Sequence, residues 1–274
     1  MGAFLHRYRR NRAAVLGLGI LGAVVLLAVA APVISPDSPF RLAGKPLSPP
    51  FGEFLFGTDT LGRDVAAGII HGARTSLMIG LVATAVAVSV GTLLGGLAGF
   101  YGGAVDDLLM RVTEFFQTIP SFLFAIVLVA VLGSSLSSTV IAIAVVSWPA
   151  VARLVRGEFL TMRRRDFVQA CIGLGMRDGR IIVRHILPNC LAPIIVLASL
   201  MVATAILIES GLSFLGLSDP NVMSWGFQVG AGRGVLRLSW WLCAIPGVAI
   251  LLTVLAINLV GEGLNDALNP RLRQ

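Results

Sequence analysis

Charge is scarce in this chain. Only 13% of its 274 residues are Asp, Glu, Lys or Arg, where a soluble domain carries about 25%. Most of the chain therefore does not face water. Cysteine is scarce as well. Cys171, Cys190 and Cys243 are odd in number and far apart, which excludes a disulfide framework and zinc-ligand spacing. They read as small apolar residues in helices. The three histidines, His6, His71 and His185, fall in separate segments with no H-E-x-x-H. Asp64 and His71 can share a helix face near Asp59, but a solvated surface helix is the simpler reading, and no metal site is expected. No P-loop is present, so the chain has no visible means of binding ATP itself. Gly17-Leu-Gly-Ile-Leu-Gly22 matches G-x-G-x-x-G by letter. It lies inside an uncharged run, without the strand and water-accessible turn that a dinucleotide site needs. No cluster of His, Asp, Ser or Cys at one depth suggests a membrane-embedded enzyme. The near absence of ionisable groups from the apolar runs, and of an evident internal repeat, argues against a proton-coupled secondary transporter.

What the chain does have is long apolar runs, with 56% hydrophobic residues and mean hydropathy +0.89. A membrane span needs about 20 largely apolar residues. Ala13–Ile34 is uncharged and fits the first; Ala30-Ala31-Pro32 is a poor cleavage context, so a retained span is expected rather than a signal peptide. Ser76–Phe100 supplies the second. The uncharged stretch from Phe115 to Ala152 is too long for one span and is interrupted by Gly133-Ser-Ser-Leu-Ser-Ser138, which predicts a helical hairpin: span three begins near Pro120 and span four ends near Arg153. Cys190–Ile208 is the fifth span and Leu238–Val260 the sixth. Pro149, Pro193 and Pro246 lie in or near spans and favour kinks.

The expected fold is thus all-α: a polytopic membrane protein with six transmembrane helices. Residues 1–12 form an N-terminal segment and 13–274 a single transmembrane domain. The net charge of +7 reads as membrane topology rather than nucleic-acid binding, because the basic residues sit in short stretches between the apolar runs. With the N-terminus inside, 15 of the 21 Lys and Arg residues fall in inner segments. That bias places both termini, and the arginine-rich stretch before Cys190, in the cytoplasm.

Three features invite a functional reading. Gly91, Gly95, Gly99 and Gly103 recur every fourth residue and put glycine on one helix face. This allows close helix approach, expected here as packing within the chain rather than between subunits. Glu209, followed by Ser210, is the acid closest to a membrane interior, at the end of span five. It can line a substrate path or sit at the outer interface, and the residues leave both open. The third feature is the stretch of about thirty residues between spans four and five. Arg165–Leu174 can form a helix with Phe167, Cys171 and Leu174 on one face. Gly175 suits a helix C-terminus with positive φ. A second short helical pattern follows through Ile181, Ile182, His185 and Ile186, and Pro188 is expected to end it and set the entry into span five. The apolar edge of this knob has no obvious partner in the short inner loops. Helix, glycine break and helix argue for a docking element for a soluble partner, since a helix lying on lipid gains from being continuous.

This stretch resembles a loop carried by the permeases of ATP-binding-cassette importers: E-A-A, three residues, G, nine residues, I-x-L-P. Gln169-Ala170-Cys171, Gly175 and His185-Ile186-Leu187-Pro188 stand at that spacing. Phe56-Gly-Thr-Asp-Thr-Leu-Gly-Arg-Asp64, Leu212-Ser-Phe-Leu-Gly-Leu217 with Ser224-Trp-Gly226, and the tail Asn258–Leu272 are similar to further motifs of the peptide and nickel branch of that family. Gln169 replaces the loop's Glu, Cys171 its second Ala and His185 its Ile. The resemblance implies one of two transmembrane subunits in the bacterial inner membrane. It implies as partners a homologous second permease, two cytoplasmic ATP-binding subunits that hold the ATP and magnesium, and an external substrate-binding protein. The loop 156–189 would carry the coupling helix, with Asp166, Gln169, Ala170, Cys171, Gly175 and His185–Pro188 as its residues. This chain would then be no enzyme and bind no cofactor of its own. The cargo implied is a di- or oligopeptide, with nickel or glutathione as the alternative.

Overall fold

The computed structural model describes Tyr8 and residues 11–268. Arg7, Arg9, Arg10, Arg271 and Arg273, on which part of the charge bias rests, lie outside the described residues. So do His6, the end of the tail motif from Asn269 to Leu272, and Gln274.

Among the described residues the regular structure is helical. The helices are α1 (Arg12–Ile34), α2 (Val65–Tyr101), α3 (Gly103–Thr118), α4 (Ser121–Leu132), α5 (Leu136–Arg163), α6 (Asp166–Gly173), α7 (Asp178–Ile181), α8 (Leu187–Phe214), α9 (Trp225–Gly232) and α10 (Trp241–Leu268). Five segments are long and apolar enough to cross a membrane, and six if the bent pair α3–α4 is one span. Many of their large apolar side chains point outward, such as Leu26, Val29 and Val33 of α1, the last 84% exposed. A water-soluble helix would cover such a surface, whereas lipid tails leave it satisfied.

Helix α2 begins eleven residues before the expected Ser76. Asp64 caps it by accepting from the Ala66 N–H at 2.9 Å, and Gly102, at φ +69, ends it. Its 37 residues span about 55 Å, well beyond the roughly 30 Å of hydrocarbon. The uncharged run marked only the part of α2 that needs lipid. Along α2 the glycines meet α5. A Cβ on Gly91 would lie 2.5 Å from Val151 Cβ, on Gly95 2.3 Å from the Ala152 carbonyl oxygen and on Gly99 2.6 Å from Phe159 Cβ. The two backbones approach as closely as glycine allows. Gly103 does not share this contact. Nothing lies within 4 Å of its Cβ position, and its φ of +52 belongs to the turn between α2 and α3.

The third span is not one helix from Pro120. Helix α4 has only 12 residues, about 18 Å, too short to cross alone. It is preceded by the amphipathic α3 and meets it at an angle of 84°. The bend falls at Ile119, whose φ of −91° and ψ of 131° is the extended geometry that a following proline imposes. Asp106, Asp107, Arg111 and Glu114 kept α3 out of the apolar pattern. Its Asp106 takes a bidentate contact from Arg156 of α5, at 2.5 and 2.6 Å.

One end of the bundle gathers the segment 35–64, α9 and the start of α10. Two isolated bridges, Leu42 with Arg63 and Thr58 with Asp64, fold the 35–64 segment on itself. Phe40 meets Phe227 edge to face, and the Trp241 indole N–H donates to the Thr58 carbonyl at 3.5 Å. His71, considered above beside Asp64, contacts the Ser35 carbonyl through Nε2 at 2.9 Å. The opposite end holds α6, α7 and a buried cluster of Phe100, Val155, Phe159, Val168, Ile181 and Ile186.

Candidate functional site

Helix α6 follows α5 after a two-residue turn. Its anchor is Val168, which is fully buried in the cluster around Phe159. Cys171 packs partly against the same cluster. Phe167 and Leu174, expected on the face of Cys171, point outward instead, 44% and 81% exposed. The apolar edge of the knob thus has a partner after all in its own chain, through Val168, Ile181 and Ile186. What remains uncovered is a face of Asp166, Phe167, Gln169, Ala170 and Leu174. Ala170 presents no bulk, and Phe167 and Leu174 offer apolar surface on either side of it.

Gly175 closes α6. Its φ is +70, its N–H donates to the Ile172 carbonyl at 2.9 Å, and the Met176 N–H reaches back to the Cys171 carbonyl at 3.2 Å. This pair of bonds is a Schellman motif, with the left-handed residue just past the helix end. The Gln169 side-chain amide donates to the Arg163 carbonyl at 2.7 Å, tying α6 to the end of α5. A glutamate has no N–H to make that bond.

Pro188 does not stop the second helix. From Asp178 to Phe214 the helix is continuous, and so only the turn residues 164–165 and 174–177 of the expected 156–189 loop lie outside helices. Residues 182–186 form a π segment, whose wider i→i+5 register accommodates a proline that would otherwise clash with the carbonyl four residues back. The Leu187 N–H donates to Ile182, and the Asn189 side-chain amide caps the His185 carbonyl at 2.7 Å. Ile186 is buried, His185 and Leu187 are half-buried and Pro188 is exposed. The sequence offers proline as a stop; the π segment lets the chain run through it.

Glu209 lies near the other end of the same continuous helix. It is 3% exposed and enclosed by its own chain. Its Oε1 accepts from the Ser224 hydroxyl at 2.6 Å and the Ser213 hydroxyl at 2.9 Å. The Ser210 hydroxyl donates to the Ile206 carbonyl at 2.8 Å and lies 3.5 Å from Glu209 Oε2. Ser213 and Ser224 escaped the sequence reading as partners of Glu209: fifteen residues separate Ser224 from the acid, with no periodic signal between them. Among the described residues no group of three or more His, Cys, Asp or Glu is arranged to hold a metal ion.

Known proteins share both the sequence and the fold. Residues 91–274 match the family described as "Binding-protein-dependent transport system inner membrane component", and residues 1–50 match the "N-terminal TM domain of oligopeptide transport permease C". The dipeptide transport system permease protein DppC of Alkalihalophilus pseudofirmus is 42% identical over 97% of this chain and 88% of its own length. The di/tripeptide transport system permease protein DppC of Pseudomonas aeruginosa is also 42% identical, over 98% and 92%. Among solved structures, a chain of the MetNI methionine ABC transporter in an inward-facing conformation superposes with TM-score 0.60 at 17% identity. The match covers 71% of this chain and 93% of that one. A chain of an amino acid ABC transporter solved with histidines gives 0.56 at 15%, over 73% and 94%. At such identities the solved structures share the fold alone. The motifs that run nearly the length of the sequence, the apolar helices of a multi-pass protein of the cytoplasmic membrane and the matched segments agree: this chain belongs to the family of binding-protein-dependent transport system inner membrane components.

Proposed function

We propose that this chain is one of two permease subunits of an ATP-driven peptide importer, and that α6 is its coupling element. The observation that carries the proposal is the uncovered face Asp166, Phe167, Gln169, Ala170 and Leu174, held rigid by buried Val168 and by the Gly175 turn. A small-residue patch flanked by two apolar side chains fits the groove of a soluble subunit. Two ATP-binding subunits bind and hydrolyse ATP with magnesium; a homologous permease completes the pathway; an external binding protein delivers cargo. The relatives named for dipeptide and di/tripeptide transport support a peptide as the cargo. In this reading the end that carries α6 faces the cytoplasm with both termini, and the end that carries residues 35–64 and α9 faces outward. Cys171, His185, Ile186, Leu187 and Pro188 take part from behind, joining α6 to the continuous helix Asp178–Phe214. Movement of the ATPases then reaches span five directly.

The test is purification of the tagged chain from its native membrane, followed by uptake of a labelled dipeptide into proteoliposomes. A second permease and the ATPases should co-purify, and uptake should require ATP and the binding protein. A chain recovered alone that moves dipeptide without ATP would sink the proposal.

A further inference from the structure

Glu209 is a buried carboxylate that the coupling mechanism does not use. It takes part in none of the ion pairs found among the described residues. An acid is costly to keep within a membrane span, so its retention calls for a specific interaction. The structure supplies one. Ser224 is the N-cap of α9: its Oγ accepts from the Phe227 N–H at 2.9 Å while its hydroxyl donates to Glu209 Oε1 at 2.6 Å. Gly226, in the first turn, lies so close that a Cβ there would sit 2.7 and 2.8 Å from the two carboxylate oxygens. The carboxylate is therefore seated against the amino end of a helix, where negative charge is favoured. Ser213, one turn further along α8, donates to it as well.

The same end of α9 is tied to a second helix. The Trp225 backbone N–H donates to Ser76 Oγ at 3.1 Å and its indole N–H to the Ile69 carbonyl at 2.9 Å, both on α2. Trp225 is 1% exposed. Gly230 packs with its Cβ position 2.4 Å from the Ser213 carbonyl oxygen. Helix α9 thus lies between α2 and α8 and is hydrogen-bonded to both, through Trp225 to α2 and through Ser224 to α8.

We infer that Glu209 is a positioning residue: a clasp that fixes α9 to span five, so that α8, α9 and the adjoining stretch of α2 move as one body. This inference rests on the coupling reading above and extends it. The continuous helix Asp178–Phe214 carries movement from α6 to Glu209, and the clasp hands it on to α9. Helix α9 and the segment 35–64 that packs on it lie at the far end of the bundle. ATPase movement at one end is therefore handed on to α9 and this segment at the other.

The experiment uses the assembled transporter in proteoliposomes, with spin labels at Leu207 of α8 and Ala231 of α9, both exposed. Distances are recorded without nucleotide and with ATP plus vanadate, alongside dipeptide uptake and ATP hydrolysis. With Glu209 intact the label distance should be the same narrow distribution in both states. In Glu209→Ala it should broaden or shift between states, uptake should fall at least about tenfold, a loss within the range of coupling between distinct sites, and hydrolysis should continue. Glu209→Gln keeps one accepting oxygen in place and should recover part of the uptake. If Glu209→Ala does not assemble, Ser224→Ala removes the same bond from the α9 side and should give the same distance change. A distance that differs between states in the intact chain, or an unaltered narrow distance once the bond is removed, overturns the clasp. Gly175→Val serves as the separate arm: normal uptake in that variant overturns the coupling reading, while the distance measurement still judges the clasp by itself.

Discussion

The Gln169 side-chain amide donates a 2.7 Å hydrogen bond to the backbone carbonyl of Arg163. It spans the turn between α5 and α6 and fixes the angle at which α6 leaves the bundle. The similar importer loops carry Glu at this position, which can only accept. In this chain the substitution converts a charged side chain into a donor that its own α5 uses.

Gln169→Glu is therefore expected to weaken, not improve, the element. A hydrogen bond at an exposed position contributes about 0.5–1 kcal/mol net. Gln169→Glu and Gln169→Leu should each lower ATP-dependent dipeptide uptake roughly two- to fivefold, the factor that such an energy allows. Uptake by Gln169→Glu at or above the unaltered level would show that the bond to Arg163 has no part in coupling.

Gly175 provides a graded test. Nothing lies within 4 Å of its Cβ position, so space is not limiting; its φ of +70 is. Asn tolerates the left-handed region, Ala pays about 1 kcal/mol and a β-branched residue more. Uptake at matched membrane abundance should follow Gly ≈ Asn > Ala > Val, with Val close to none. Equal uptake in all four would detach function from this backbone conformation.

Gly95 and Gly103 are two steps apart in the four-residue repeat but do not share its contact. A Cβ at Gly95 would sit 2.3 Å from the Ala152 carbonyl oxygen, a backbone atom that cannot rotate away, whereas Gly103 has open space. Gly95→Ala should cost about 1–3 kcal/mol of stability through overpacking, and Gly103→Ala about 1 kcal/mol through its positive φ alone. Thermal denaturation of the purified assembly in detergent reads the difference; the reverse order would mean that the α2–α5 contact is not as described.

Asp106 and Arg156 join α3 to α5 through two parallel bonds. Their side chains are 12% and 36% exposed, so the pair is partly screened, and its coupling energy is about 1 kcal/mol. A double-mutant cycle with Asp106→Asn and Arg156→Gln should return that coupling, while Arg156→Lys, which keeps the charge but loses the fork, should behave closer to Arg156→Gln than to the unaltered chain. Zero coupling in the cycle would remove the pair from the account of how α3 is held.

Much of this architecture is legible in the residues because it follows from solvent and from local backbone chemistry. Uncharged runs announce spans, since lipid admits little else. Gly175 announces a helix end, since the left-handed region admits few other residues. The four-residue glycine repeat announces a close helix contact at Gly91, Gly95 and Gly99. The misreadings share a cause. Val65–Thr75 and α3 are helical but partly polar, so an apolar pattern cannot find them. The buried side of α6 is Val168 and not Phe167, because Val168 packs into a cluster that Phe100 of α2, Phe159 of α5 and Ile186 build together.

Residence in a membrane, resemblance to a family and the turn at the end of α6 are written in the residues, because hydropathy, motif spacing and positive φ are properties of short stretches. Packing in three dimensions sets the 84° angle between α3 and α4, carries the helix through Pro188 and brings Glu209 to Ser224. Each of these depends on which distant groups meet. A proline is tolerated where a π register makes room, and a carboxylate is kept where a helix end and two hydroxyls converge on it; neither condition is written in the neighbouring residues.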